Sequence, residues 1–104
     1  MEVTFFDEAV EVFLSKLEKS TIAKVLRTVD LLERFGNQLG MPHSKNIGHK
    51  LFELRIRGQQ EIRLIYTFDG SGAVILHGFV KKSQKVPIKE LCIAQQKLSA
   101  LDRI

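Results

Sequence analysis

Residues 50–87, KLFELRIRGQQEIRLIYTFDGSGAVILHGFVKKSQKVP, decide the fold of this chain. Phe52, Leu54 and Ile56 alternate with Glu53, Arg55 and Arg57. After Gly58-Gln59-Gln60, Ile62, Leu64, Tyr66 and Phe68 alternate with Glu61, Arg63, Ile65 and Thr67. Period-two patterning sends neighbouring side chains to opposite faces of a strand. Asp69-Gly70-Ser71-Gly72 makes a hairpin turn, and beyond it Val74, Leu76, Gly78 and Val80 oppose Ile75, His77, Phe79 and Lys81. The segment reads as a three-stranded meander whose polar positions carry Arg55, Arg57, Arg63, Lys81 and Lys82, with Lys85 just beyond. A small sheet with cations on one face suits a polyanion. With no zinc motif and no Walker loop in the sequence, the phosphate backbone of a nucleic acid is the first candidate.

Working outward, Val3-Thr4-Phe5-Phe6 is a short strand at a sheet edge. Asp7 can cap a helix over 8–19 with apolar positions Ala9, Val10, Phe13, Leu14 and Leu17. Ser20 or Thr21 would cap a second helix, where Ile22, Val25, Leu26, Val29, Leu32 and Phe35 form one stripe and Gly36 ends it. Residues 37–48 read as loop. Pro87 suits the first turn of a last helix, with Ile88, Leu91, Cys92, Leu98 and Leu101 as its buried stripe. The order β-α-α-β-β-β-α gives a two-layer α+β domain over residues 1–104, a helical hairpin on a small, mainly antiparallel sheet with the basic face left open.

The chain has 104 residues, enough for one packed core. Its single cysteine, Cys92, forbids an intrachain disulfide, so a reducing cytosol is the natural setting. No apolar run approaches the roughly 18–20 residues needed to span a bilayer, and the N-terminus lacks a basic signal-peptide region. We expect a cytoplasmic protein with no membrane partner. Net charge is +4, unevenly placed: −2 over residues 1–42 and +6 over residues 43–89. Such asymmetry points to a partner on the second half, or to a merely solvated sheet face.

RNA can be cut without a metal when its own 2′-OH attacks the adjacent phosphate. Alignment, charge neutralisation and proton transfer are then the enzyme's tasks. Arginine meets the second task through its planar fork. Arg55 and Arg57 share a strand face, Arg63 lies across the short turn, and Lys81 or Lys82 can reach the same phosphate. The alternative for each arginine is an ion pair with Glu53 or Glu61. Tyr66 falls on the apolar face as a core residue. Phe79 falls on the basic face, where a base could stack on it, or else it is a core or partner-contacting residue. His43, His49 and His77 lack ligand spacing, so no metal site is expected, although an auxiliary role for His77 stays open. Cys92 reads as core.

LFELRIRG, IRLIYTFDGSG and VILHGFVKKSQKVPIKELCIA together resemble the RelE/ParE toxin superfamily, and within it the phage-derived, HigB-like branch. Arg55, Arg63, Tyr66, His77-Gly78-Phe79, Lys81-Lys82 and Pro87 fall in register with its L-x-E-L-R, R-x-x-Y and H-G-F-x-K-K-x-x-K-x-P motifs. The resemblance implies the toxin of a type II toxin–antitoxin pair, an endoribonuclease cutting messenger RNA in the ribosomal A site with no cofactor. It also implies a helix-turn-helix, HigA-like antitoxin. On this reading Arg55, Arg63 and Lys82 are catalytic, and Arg57, Phe79, Lys81 and Lys85 bind RNA. The chain departs from RelE proper, which pairs lysines where this sequence has Glu53 and Arg55. RelE also places a tyrosine near the position of Ile88. A second reading is therefore a RelE-like module that holds RNA or a partner without cutting. A DNA-binding accessory protein is disfavoured, because no recognition helix is visible.

Overall fold

The computed structural model describes residues 1–103. Its elements run β1 (Val3–Phe5), α1 (Glu8–Ser15), α2 (Lys19–Phe35), a 3-10 turn (Gly36–Gln38), β2 (Ser44–Gly48), β3 (Leu51–Ile56), β4 (Ile62–Asp69), β5 (Gly72–Val80) and α3 (Ile88–Asp102). The sheet order is β1-β5-β4-β3-β2, with β1 parallel to β5 and every other pair antiparallel. The α+β class, the helical hairpin and the mainly antiparallel sheet agree with the sequence reading.

Local chemistry sets the helix ends. Asp7 caps α1, its carboxylate accepting from the Val10 amide at 3.3 Å, and Gly36 closes α2 at a φ of +56°. Here α1 stops at Ser15, short of the expected Lys19. α2 then begins one residue before the expected caps, with no side-chain cap.

β2 corrects the loop expected over 37–48. It is an edge strand with a bulge between Asn46 and Gly48, and Ser44 is its one fully buried side chain. A strand with so little to bury carries no apolar alternation to read. Its Ser44 hydroxyl lies 2.6 Å from the Tyr66 hydroxyl, within a core where Tyr66 stacks on Phe52. Tyr66 is a core tyrosine, as its parity predicted.

Both sheet faces are covered. On one, α1 and α2 bring Val10, Val25 and Leu32 onto Leu54, Ile56, Ile62, Leu64, Tyr66 and Ile75. On the other, Ala94, Leu91, Leu98 and Leu101 of α3 pack over Leu51, Ile65, Leu76 and Phe79. The open basic face therefore needs correcting: α3 closes most of it, and the cations emerge only at its end. The α3 stripe also differs from expectation, since Cys92 is exposed and Ile88 is 78% exposed at the first turn. Leu91, Ala94, Leu98 and Leu101 follow the three-four spacing of one helical face, and Cys92 falls off it.

A β-bulge explains a second difference. Ile65 pairs with His77 but Tyr66 pairs with Ile75, leaving Leu76 as the extra residue. The alternation of β5 changes phase there. Ile75, Gly78 and Val80 face the helical hairpin, while Val74, Leu76 and Phe79 face α3. Gly78 lets α1 approach, because a Cβ there would sit 2.8 Å from both the Phe13 ring and Leu64 Cδ2. Gly78→Ala should therefore lower stability by about 1–3 kcal/mol, as overpacking does, read as a lower urea midpoint.

Tyr66 gives a pH prediction. Burial raises its phenol above the ordinary 10.0, outweighing the Ser44 hydrogen bond that pulls it down. An unfolded chain would then ionise first, so this contribution is intact below pH 10 and fades as pH climbs past it. Tyr66→Phe should cost about 1 kcal/mol at neutral pH and flatten the alkaline loss of stability, measured by urea unfolding at stepped pH.

Candidate functional site

At the end of the sheet beyond α3, the register sets Arg55, Arg63 and Phe79 side by side across β3, β4 and β5. The Lys81 amide donates to the Glu61 carbonyl at 2.7 Å. That adds one rung to the β4–β5 ladder and delivers Lys81 and Lys82 to the same end. The result is an open cleft of about 480 Å³, walled by Arg55, Arg57, Arg63, Lys81 and Lys82 together with Glu61.

The five cations are not equivalent. Arg63 is 3% exposed and lies between two carboxylates, with Nη1 3.1 Å from Glu61 Oε2 and Nε 3.7 Å from Glu53 Oε1. The Arg63 Nη1 also donates to the Ile62 carbonyl. Arg55 Nε donates to the same Glu53 oxygen at 2.9 Å. Glu53 is itself 1% exposed, and its Oε2 has no hydrogen-bond partner in the protein. One buried carboxylate thus holds two arginines, and the ion pairs weighed as alternatives from sequence are present. The expectation that Arg63 is an exposed surface cation is corrected. By contrast, Arg57 and Lys82 are exposed and Lys81 half-buried. Among the described residues none of these three has a carboxylate at ion-pair distance.

Two further residues fall outside the expected site. Phe79 is 4% exposed and packs among Leu51, Ile65, Leu76 and Ala94. Its ring has no free face for a base, so the stacking role is withdrawn in favour of the core alternative. Lys85 is exposed beyond the cleft and does not line it. The histidines lie apart: His49 at the β2–β3 turn, His43 before β2, and His77 on β5, where Nε2 is 2.9 Å from Glu90 Oε1 of α3. Among the described residues no three His, Cys, Asp or Glu side chains group as metal ligands.

The model of the phage-derived Gp49-like proteins (DUF891) matches residues 12–99, from within α1 to within α3. The chain belongs to the Gp49-like family. Gp49-like proteins form a toxin-like family within the RelE/ParE-like superfamily, which places the chain at the superfamily level that its motifs resemble. No curated protein matches the sequence. Among the described residues of this Gp49-like chain, no helix is long and apolar enough to cross a membrane.

Glu61 is the site residue that sequence reasoning passed over. It entered only as an ion-pair partner, yet among the described residues it is the one carboxylate lining the cleft, its side chain 42% exposed against 1% for Glu53. Sequence places both at alternating strand positions. Glu53 lies between β2 and β4, paired with Lys45 and Ile65, whereas Glu61 precedes β4 at the open end of the sheet. That placement separates a buried carboxylate from an accessible one.

Proposed function

We propose that the chain is the toxin of a type II toxin–antitoxin pair and cuts messenger RNA without a metal, in the ribosomal A site. The observation that carries this reading is the open cationic cleft at the end of the sheet, in a chain of a toxin-like family. Arg57 and Lys81 bind the phosphate backbone there, and Arg55 supports the charge that builds on the reacting phosphate. Glu61 takes the proton of the 2′-OH as O2′ bonds to phosphorus. The bond from phosphorus to O5′ breaks, and the Lys82 ammonium protonates the departing 5′ oxygen. The products are a 2′,3′-cyclic phosphate and a 5′-hydroxyl. Arg63 is a positioning residue on this scheme, holding the Glu61 carboxylate toward the cleft. The HigB-like branch, proposed on the motifs over residues 51–87, fits a HigA-like helix-turn-helix antitoxin and action in the cytoplasm.

A module that binds RNA but does not cut it is the second reading. The neutralisation of Arg55 and Arg63 by Glu53 favours it, because two expected cations are partly spent inside the protein. Inducible expression with mapping of messenger 5′ ends separates the two. The nuclease reading expects growth arrest and new in-frame cuts, relieved by co-expressing the neighbouring antitoxin gene. With ribosomes kept intact and free divalent cations removed by chelator during the cleavage step, 2′,3′-cyclic ends should persist. Folded, expressed protein that makes no new ends would establish the binding module instead.

A further inference from the structure

The basic surface continues past the first cleft. Arg55 and Arg57 also wall a second groove, of about 270 Å³, between α2 and the end of β3. Here α2 supplies Lys24 and Arg27, while Leu31, Pro42 and Ile56 give an apolar floor. Lys24 reaches over the β3–β4 turn, so that a Cβ on Gly58 would lie 2.8 Å from its Nζ. Among the described residues, neither Lys24 nor Arg27 has a carboxylate at ion-pair distance. They are two of the five Lys/Arg in residues 1–42, a segment whose net charge is −2.

A groove with cations at its rim and hydrocarbon on its floor is ill-suited to a free phosphate, which would leave the floor unused. It fits a unit that alternates an anion with an apolar plate, which is a nucleotide within a single strand. Single-stranded nucleic acids are held in this way, by a cationic track beside platforms for the bases. We infer that the α2–β3 groove is a second nucleotide subsite, continuing the strand that enters the first cleft across the shared Arg57. The base lies over Leu31, Pro42 and Ile56, and its phosphate meets Lys24 and Arg27. The Thr28 hydroxyl donates within the helix to the Lys24 carbonyl at 2.8 Å, so the groove holds the base by packing rather than by that donor. The inference rests on the RNA reading of the first cleft and extends it along the strand.

Fluorescence anisotropy with 2′-O-methyl oligoribonucleotides, which cannot be cut, tests it. Wild-type protein should bind a hexanucleotide more tightly than a dinucleotide. The double variant Lys24→Ala/Arg27→Ala alters exposed side chains of α2 and should keep its unfolding midpoint. It should lose about tenfold in hexanucleotide affinity, and its salt dependence should flatten by about 0.7 in log–log slope for each phosphate released. Dinucleotide affinity should be unchanged. Equal losses for both lengths, or none for either, would overturn the subsite while leaving the first cleft intact. Failure of the wild type to bind either oligonucleotide would instead sink the RNA reading itself.

Discussion

Glu53→Gln is expected to lower the unfolding free energy by about 3–5 kcal/mol, the range for removing one partner from a buried ion pair. Glu53 is 1% exposed and is shared by Arg55 at 2.9 Å and Arg63 at 3.7 Å. Losing its charge strands the Arg63 guanidinium in the interior with only the half-exposed Glu61 to answer it. Arg55, whose side chain is 14% exposed, can turn partly to solvent. For a domain whose total stability is about 5–15 kcal/mol, the variant should show a large fall in urea midpoint. The network is itself incompletely satisfied, since Glu53 Oε2 and Arg63 Nε have no hydrogen-bond partner in the protein. Replacing Glu53 with leucine and Arg63 with methionine together should therefore recover much of the loss, because matched apolar groups escape the desolvation penalty. A double variant no more stable than Glu53→Gln would refute the buried-charge account.

Much of this architecture was legible because its signals are local. Asp7 and Gly36 punctuate the helices, Asp69–Gly72 turns the hairpin, and Leu54, Leu64 and Tyr66 alternate onto the core as expected. What escaped is non-local. The covering of the second face by α3 depends on how a helix after Pro87 folds back, which no strand alternation encodes. The bulge at Ile65/Tyr66 moved Ile75 from one face to the other without a sequence mark. The site shows the same division. Position along the strands brought Arg55, Arg57, Arg63, Lys81 and Lys82 to one end. Burial then decided their use, turning Arg63 and Glu53 inward and leaving Glu61, Arg57 and Lys82 accessible. Lys24 and Arg27 were hidden by averaging, since they sit in the half of the chain whose net charge is −2.

Glu61→Gln is expected to reduce cleavage by about 10²–10⁴-fold, the usual contribution of a positioned acid or base, while lowering the unfolding midpoint less than Glu53→Gln does. Glu61 touches the same arginine as Glu53, at 3.1 Å, but its side chain is 42% exposed. Arg63 keeps Glu53 as a partner, so the loss of Glu61 should cost less than breaking a fully buried pair, about 3–5 kcal/mol. Two carboxylates flanking Arg63 thus make opposite forecasts, one for stability and one for chemistry. Arg63→Ala cannot make this distinction, since it disturbs both at once. Glutamine keeps the size and hydrogen-bonding reach of Glu61 but cannot take the 2′-OH proton at neutral pH. Single-turnover cleavage of ribosome-bound messenger is the measurement, with the antitoxin removed and the folded fraction checked by circular dichroism. Lys82→Ala, which removes the exposed group proposed to protonate the 5′ oxygen, should act on the same step. The Glu61→Gln/Lys82→Ala pair should then lose less than the product of the single losses. If Glu61→Gln cuts as fast as wild type, another group takes the proton and the cleft only holds its RNA.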